Sequence, residues 1–280
     1  MQVECFVLRI PPLTKPETMN VISHQPSVSP MDTQSYLKRI GYTGALAPTD
    51  EVLADLHRKH VFQIPFENVD VYYKRRFGLD PDNIHRKVVI DKRGGFCYEL
   101  NLLFNGLLQS VGFSSRIIAC RIIDEDGILG PEYDHMAVYV ETGKKFLVDV
   151  GYGDLFVTPL EIKSGVQWDG RNYFRIEAEN DREFLLSISS DGITYVKRYA
   201  FRLAAVHAAD FAAICLDKQT NPSSYFVRNL VCTKPTETGR LTIFNDTFVE
   251  RNGNQKLVSP IQNDPELMMY LRDKFGIKVR

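Results

Sequence analysis

Cys97, His135 and Asp149 are of the residue types that together make an activated nucleophile. Cys97 lies in Arg93-Gly94-Gly95-Phe96-Cys97-Tyr98-Glu99, just ahead of the apolar series Leu100, Leu103, Phe104, Leu107, Leu108 and Val111. That i, i+3, i+4, i+7 spacing is a core-facing helix, and Gly112 is a natural stop. The cysteine is therefore predicted in the first helical turn, where unpaired N–H groups and the positive end of the dipole favour a thiolate. Gly94 and Gly95 permit backbone angles that other residues resist and a close approach to another surface. Taken singly, a free cysteine is most often a small buried hydrophobe. A reactive one needs a base.

A predicted hairpin supplies it. His135 opens the strand His135 to Val140, Asp149 stands near the end of Lys145 to Val150, and Glu141-Thr142-Gly143 reads as the connecting loop, with Gly in the left-handed position. This register pairs Val140 with Lys144 and, counting outward, His135 with Asp149, on one face with Cβ atoms about 4.5–5.5 Å apart. A loop one residue shorter would put them on opposite faces. A carboxylate on one imidazole nitrogen fixes the tautomer and leaves the other to take a thiol proton. Alone, His135 reads as a polar strand end and Asp149 as a cap before Gly151-Tyr152-Gly153. With the cysteine turn they read as nucleophile, base and orienter.

The elements that must position these groups follow from periodicity. Residues 1–30 carry Pro11, Pro12, Pro16, Pro26 and Pro30 and read as a poorly ordered extension. A helix capped by Asp32 carries Tyr36, Leu37 and Ile40 and ends at Gly41; a second, capped by Thr49 with Asp50 and Glu51 in its first turn, turns Val52, Leu53, Leu56 and Val61 inward and ends at Ile64-Pro65. Phe66-Glu67-Asn68-Val69-Asp70 interleaves acids and an amide with apolar residues and reads either as a capped turn or as a polar brace for Arg93. Beyond Gly112 the period falls to 2, with strands predicted over 116–123, 135–140, 145–150, 173–178, 183–189 and 194–199, enough for a small barrel or sandwich. A helix over Leu203 to Leu216, strands around 226–231, 241–244 and 248–251, a turn at Asn252-Gly253 and a last helix with an Asp264 cap, Pro265 and a Gly276 stop complete the chain.

Composition removes several function classes. With 280 residues and 44% hydrophobic content the chain buries a substantial core, and a net charge of -1 gives no global field for nucleic acid or an anionic membrane. The five cysteines are scattered singly, without Cys-x-x-Cys, which argues against a disulfide scaffold or a structural zinc site and for a reducing cytoplasm. No run is long enough for a membrane span, and no secretory signal is evident. His57 and His60 have a spacing compatible with a shared metal but no third ligand, so they read as ordinary helix residues, and no metal is expected. His24, His85 and His207 have no evident partner. Gly151-Tyr152-Gly153-Asp154 reads as a plain turn more readily than as a phosphate loop.

Ile64-Pro65-Phe66-Glu67-Asn68, Arg93-Gly94-Gly95-Phe96-Cys97-Tyr98-Glu99, His135-Met136 and Val148-Asp149-Val150-Gly151-Tyr152-Gly153 occur in an order that resembles the arylamine N-acetyltransferase family over most of residues 31–280. The resemblance implies an α+β fold: an N-terminal helical bundle (31–112) bearing the cysteine, a central β-barrel (113–220) bearing His and Asp, and a C-terminal α/β lid (221–280). It also implies a papain-like Cys-His-Asp triad of Cys97, His135 and Asp149. Acetyl-CoA would be the acyl donor, no cofactor would be tightly bound, and an arylamine, arylhydroxylamine or hydrazine would accept the acetyl group from a cysteine thioester. Neither nucleic acid nor a membrane is an implied partner. By the same resemblance Glu67, Asn68 and Arg93 form a brace with Gly94 and Gly95 as structural support, and Phe66, Tyr98, Tyr152 and Phe226 line an aromatic pocket, with Phe96 and Gly153 as further substrate contacts. Tyr152 stands where members often have Phe. The same triad would also serve a hydrolase, a transglutaminase-like enzyme or an amide synthase, or survive as a vestige in a binding protein.

Overall fold

The computed structural model describes residues 31–279; the expectations for the 1–30 extension, and for Cys5 and His24 within it, lie outside them. Helix α1 (Thr33–Ile40) is capped by Asp32, which accepts from the Ser35 amide at 3.0 Å, and ends at Gly41 with φ 68°. Helix α2 (Asp50–Gln63) starts at the Thr49 cap, but its buried face is Leu53, Leu56, His57 and His60, with Val52 and Val61 at its margin. Strand β1 (Phe66–Glu67) and helices α3 (Val69–Tyr72) and α4 (Pro81–His85) follow. The chain then widens into a π-helical turn, Arg86–Ile90, closed by the Asp91 amide on the Arg86 carbonyl at 2.8 Å. Helix α5 (Cys97–Val111) begins at the cysteine and stops at Gly112, φ 103°. Leu100, Leu103, Phe104, Leu107 and Leu108 are all buried along it, each worth about 1.5–3 kcal/mol of burial.

Strands β2 (Ser114–Ile122), β3 (His135–Glu141), β4 (Lys145–Val148), β5 (Leu160–Glu161), β6 (Val166–Trp168), β7 (Tyr173–Ala178), β8 (Phe184–Ser189) and β9 (Val196–Phe201) form one antiparallel sheet in the order β5-β4-β3-β2-β9-β8-β7-β6. The seam between β5 and β6 is bridged by a side chain: the Gln167 amide donates to the Glu161 carbonyl and accepts from the Glu161 N–H, both at 2.8 Å. Ala137, Tyr139 and Leu147 face the barrel core, while Met136, Val138, Val140, Phe146 and Val148 pack in the same cluster as α5. Burial on both faces explains why β3 reads as an unbroken apolar run.

After β9 the chain stays irregular until a 3₁₀ turn at Ala208–Phe211 leads into helix α6 (Ala212–Thr220), so the helix expected from Leu203 starts later. The strand expected at Phe226 is instead the short helix α7 (Tyr225–Arg228), because the Ser224 hydroxyl accepts from the Phe226 amide and caps it. Strands β10 (Val231–Thr236), β11 (Gly239–Phe244), β12 (Thr247–Asn252) and β13 (Gln255–Pro260) pair in sequence order, and β1 adds to the β10 edge. Helix α8 (Asp264–Phe275) covers this sheet with Leu267, Leu271 and Phe275; its cap is Asn263 rather than Asp264, accepting from the Glu266 amide at 3.0 Å.

Candidate active site

The β3–β4 hairpin is shifted by two residues from the expected register. Glu141 pairs with Lys145, leaving Thr142-Gly143-Lys144 as the loop with Gly143 at φ 96°, and Val138 pairs with Val148. Because the shift is even, His135 and Asp149 keep the same face and meet diagonally, with Gly151 rather than Asp149 falling opposite His135 as that register continues. His135 Nε2 lies 2.7 Å from Asp149 Oδ2, and both side chains are buried. With a proton on Nε2 toward the carboxylate, the Nδ1 lone pair is free to accept another.

Asp149 is held on every side. Its Oδ1 accepts from Asn101 Nδ2 at 2.9 Å and from the Gly151 amide at 2.9 Å, and the Tyr199 hydroxyl donates to Oδ2 at 3.2 Å. Burial pushes the carboxyl pKa up, but His135, Asn101 and the Gly151 amide overcome it and hold Asp149 below the usual value. From α2, His57 Nε2 reaches the Asp149 carbonyl at 3.2 Å. Its ring stacks on Phe156, and burial drives its pKa down to about 4, so it is neutral.

Asn101 brings the cysteine to this pair. It donates to the Met136 carbonyl at 2.6 Å and accepts from the Val150 amide at 3.0 Å, tying α5 to both strands of the hairpin. Cys97, four residues earlier, shares that helix face. Gly151 completes the docking: a Cβ there would lie 2.6 Å from Asn101 Nδ2, 2.7 Å from the Cys97 carbonyl and 2.9 Å from Cys97 Cα. Gly151→Ala should therefore destabilise the protein by about 1–3 kcal/mol and lower kcat roughly 10²-fold by prising helix from hairpin. Urea unfolding and initial rates check this, and a variant matching the parent in both would refute the close fit.

Cys97 is 5% exposed, whereas Cys120, Cys215 and Cys232 are at 0–2%. Burial pushes its thiol well up, Lys218 draws it down, and Cys215, Asp149 and Asp134 raise it further. Burial thus opposes the pull of the helix N-terminus toward a thiolate.

The turn before Cys97 is braced as expected, with two corrections. Arg93 pairs with Glu67 at 2.8 Å and with Asp70 at 3.1 Å. Asn68 takes no part; it reaches the carbonyls of Phe226 and Asn229 and the amide of Val231, fastening the lid. Neither Gly94 nor Gly95 has a positive φ. Gly94 is required by space, since a Cβ would lie 2.3 Å from the Pro65 carbonyl.

Of the predicted aromatic wall, Phe66 and Phe226 meet at 6.0 Å, and Phe96, expected as a further substrate contact, packs on both, with ring centroids 4.5 Å from Phe226 and 5.7 Å from Phe66. Tyr152 meets the His135 ring edge-on at 5.4 Å, its phenol pushed up to about 12 by burial against the pull of Arg198. Gly153, at φ 100°, offers its carbonyl to Arg240 at 2.6 Å. Tyr98 is fully buried, and its hydroxyl holds the carbonyls of Tyr133 and Asp134, just ahead of His135. Asn101, Tyr199 and His57 escape the sequence reading, although an Asn inside the apolar stretch four residues after Cys97 is a signal that could have found the first.

Residues 49–280 match the family model described as N-acetyltransferase. The Escherichia coli arylamine N-acetyltransferase is 30% identical over 249 residues, covering 87% of this chain and 88% of that protein. This chain belongs to the arylamine N-acetyltransferase family. The Salmonella typhimurium arylamine N-acetyltransferase structure superposes with a TM-score of 0.82 at 26% identity, covering 89% of this chain and 92% of that one. The Mycobacterium marinum arylamine N-acetyltransferase in complex with CoA superposes with a TM-score of 0.80 at 27% identity, covering 88% and 93%. The α+β architecture is that of this family. Among the described residues, no group of three or more His, Cys, Asp or Glu side chains could hold a metal, and no helix is long and apolar enough to cross a membrane.

Proposed function

We propose that this protein takes an acetyl group from acetyl-CoA onto Cys97 and delivers it to the nitrogen or oxygen of an arylamine, arylhydroxylamine or arylhydrazine. The observation that carries this reading is the His135–Asp149 pair, locked by Asn101 and Gly151 against the helix that begins at Cys97. His135 Nδ1 takes the thiol proton, and the thiolate attacks the thioester carbonyl. CoA leaves as a thiol with the proton returned by His135. The amine then attacks the acetyl-cysteine, His135 accepts its proton, and the released sulfur recovers it, a ping-pong cycle in which one imidazole serves both halves.

Phe66, Phe96 and Phe226 pack on one another and Tyr152 meets the His135 ring, and this aromatic surface is the wall assigned to the flat ring of the acceptor. Intact mass after incubation with acetyl-CoA alone is the test. One acetyl group should appear on the protein, map to Cys97, and vanish on adding an arylamine. No adduct, or an adduct mapped to another cysteine, would overturn the reading.

A further inference from the structure

Beneath the cysteine turn lies a cluster of five charged side chains that the reaction scheme does not use in full. Glu67, Asp70 and Glu99 are carboxylates; Arg93 and Lys87 are the cations among them. Arg93 serves Glu67 and Asp70. Lys87 Nζ reaches Asp70 Oδ2 at 2.8 Å and both oxygens of Glu99 at 2.9 Å, with its side chain 14% exposed. Glu99 is 1% exposed, and its Oε2 accepts from the Phe96 amide at 2.8 Å. That bond caps the first turn of α5, whose first residue is Cys97. The ring of Phe96 meanwhile packs on Phe226 and Phe66.

Ile84, Lys87 and Val88 follow the i, i+3, i+4 pattern, so a lysine occupies an apolar stripe position. Ile84 and Val88 are indeed buried. A buried ammonium there is tolerable only with carboxylates to meet it. Burial works against the charge of Lys87, and Glu99, Glu67 and Asp70 more than offset it, so it holds its proton more firmly than a free lysine. Glu99 has the converse problem: burial raises its pKa, and Lys87 is the first opposing influence.

We infer that Lys87 is a positioning residue for Cys97, acting through Glu99: its ammonium fixes the carboxylate that caps the Phe96 amide, and so sets where the cysteine turn stands relative to the hairpin. Without it, the cluster holds three carboxylates and one guanidinium, and the ionised Glu99 is drawn toward solvent and off its cap on the Phe96 amide. The first turn of α5 then loosens beneath the sulfur.

The inference rests on Cys97 being the nucleophile, but its test uses neither acetyl-CoA nor an amine, so it can fail separately from the proposed reaction. The rate of Cys97 alkylation by iodoacetamide is measured against pH, with the site confirmed by peptide mass and the melting temperature recorded. K87M should slow alkylation about tenfold. Its profile should move to higher pH, because the uncompensated carboxylate adds to Asp149, Asp134 and Cys215 and opposes Lys218 in the field at the thiol. K87M/E99Q removes that excess charge while the amide oxygen still caps Phe96, and should return the rate to within about threefold of the parent. A K87M protein that melts lower yet alkylates with the parental profile would overturn the inference, reducing Lys87 to a stability element. Should K87M not fold, the double variant decides: near-parental alkylation supports the inference, and alkylation slowed tenfold or more refutes it.

Discussion

Cys97→Ser should leave a folded protein with acetyl transfer reduced by about four orders of magnitude or more, since a nucleophile removed from a concerted set costs most of the catalysis the set provides. The reason lies in the site. Burial already pushes the Cys97 thiol up, so its proton leaves only to a base held within reach. A serine hydroxyl is a far weaker acid than a thiol, and an imidazole suited to the one cannot populate the alkoxide of the other. Steady-state arylamine acetylation and intact mass with acetyl-CoA should both come out blank. Parental turnover in this variant would remove Cys97 from the mechanism.

Asp149→Asn should cost about 10⁴-fold in kcat with little change in fold, as loss of the orienting carboxylate does when the wrong histidine tautomer results. Asp149 accepts from His135, Asn101, Gly151 and Tyr199. An amide in its place turns one acceptor into a donor, and either His135 or Asn101 then faces a like group. The substitution also changes the acid limb of stability. The folded-state pKa of Asp149 is depressed, so its ionised form stabilises the native state fully above the unfolded carboxyl value near 4, and that contribution fades as pH falls through the lower folded value. Urea unfolding of parent and variant at pH 6 and pH 3 should therefore show a gap that narrows on acidification. A gap constant with pH would mean Asp149 is not ionised in the native protein, and full activity would remove it as orienter.

Much of this site is legible along the chain because its geometry is local. The Cys97 helix follows from an apolar stripe and a terminal glycine, and the His135–Asp149 pairing survives a register error because strand faces repeat every second residue, so a slip of two is harmless where a slip of one is fatal. What was not legible depends on partners far apart in sequence. His57 becomes a buried support only because α2 packs under Asp149, and Asn68 serves the lid only because Val231 arrives beside it. The helix at Phe226 was missed because the Ser224 cap outweighs the β-propensity of Tyr225, Phe226 and Val227. The missed edge strand β1 has only two residues and no period to read.

That short strand has a bearing on how the protein comes to exist. Phe66 and Glu67 pair with Thr233 and Cys232, and Asn68 joins Val231 across 163 positions of chain. The wall and brace of the cysteine turn are therefore finished by a segment that a ribosome delivers late. Until that segment arrives the nascent helices hold a sulfur without its full surroundings, so the cysteine turn is completed only well after the helices that carry it have been made.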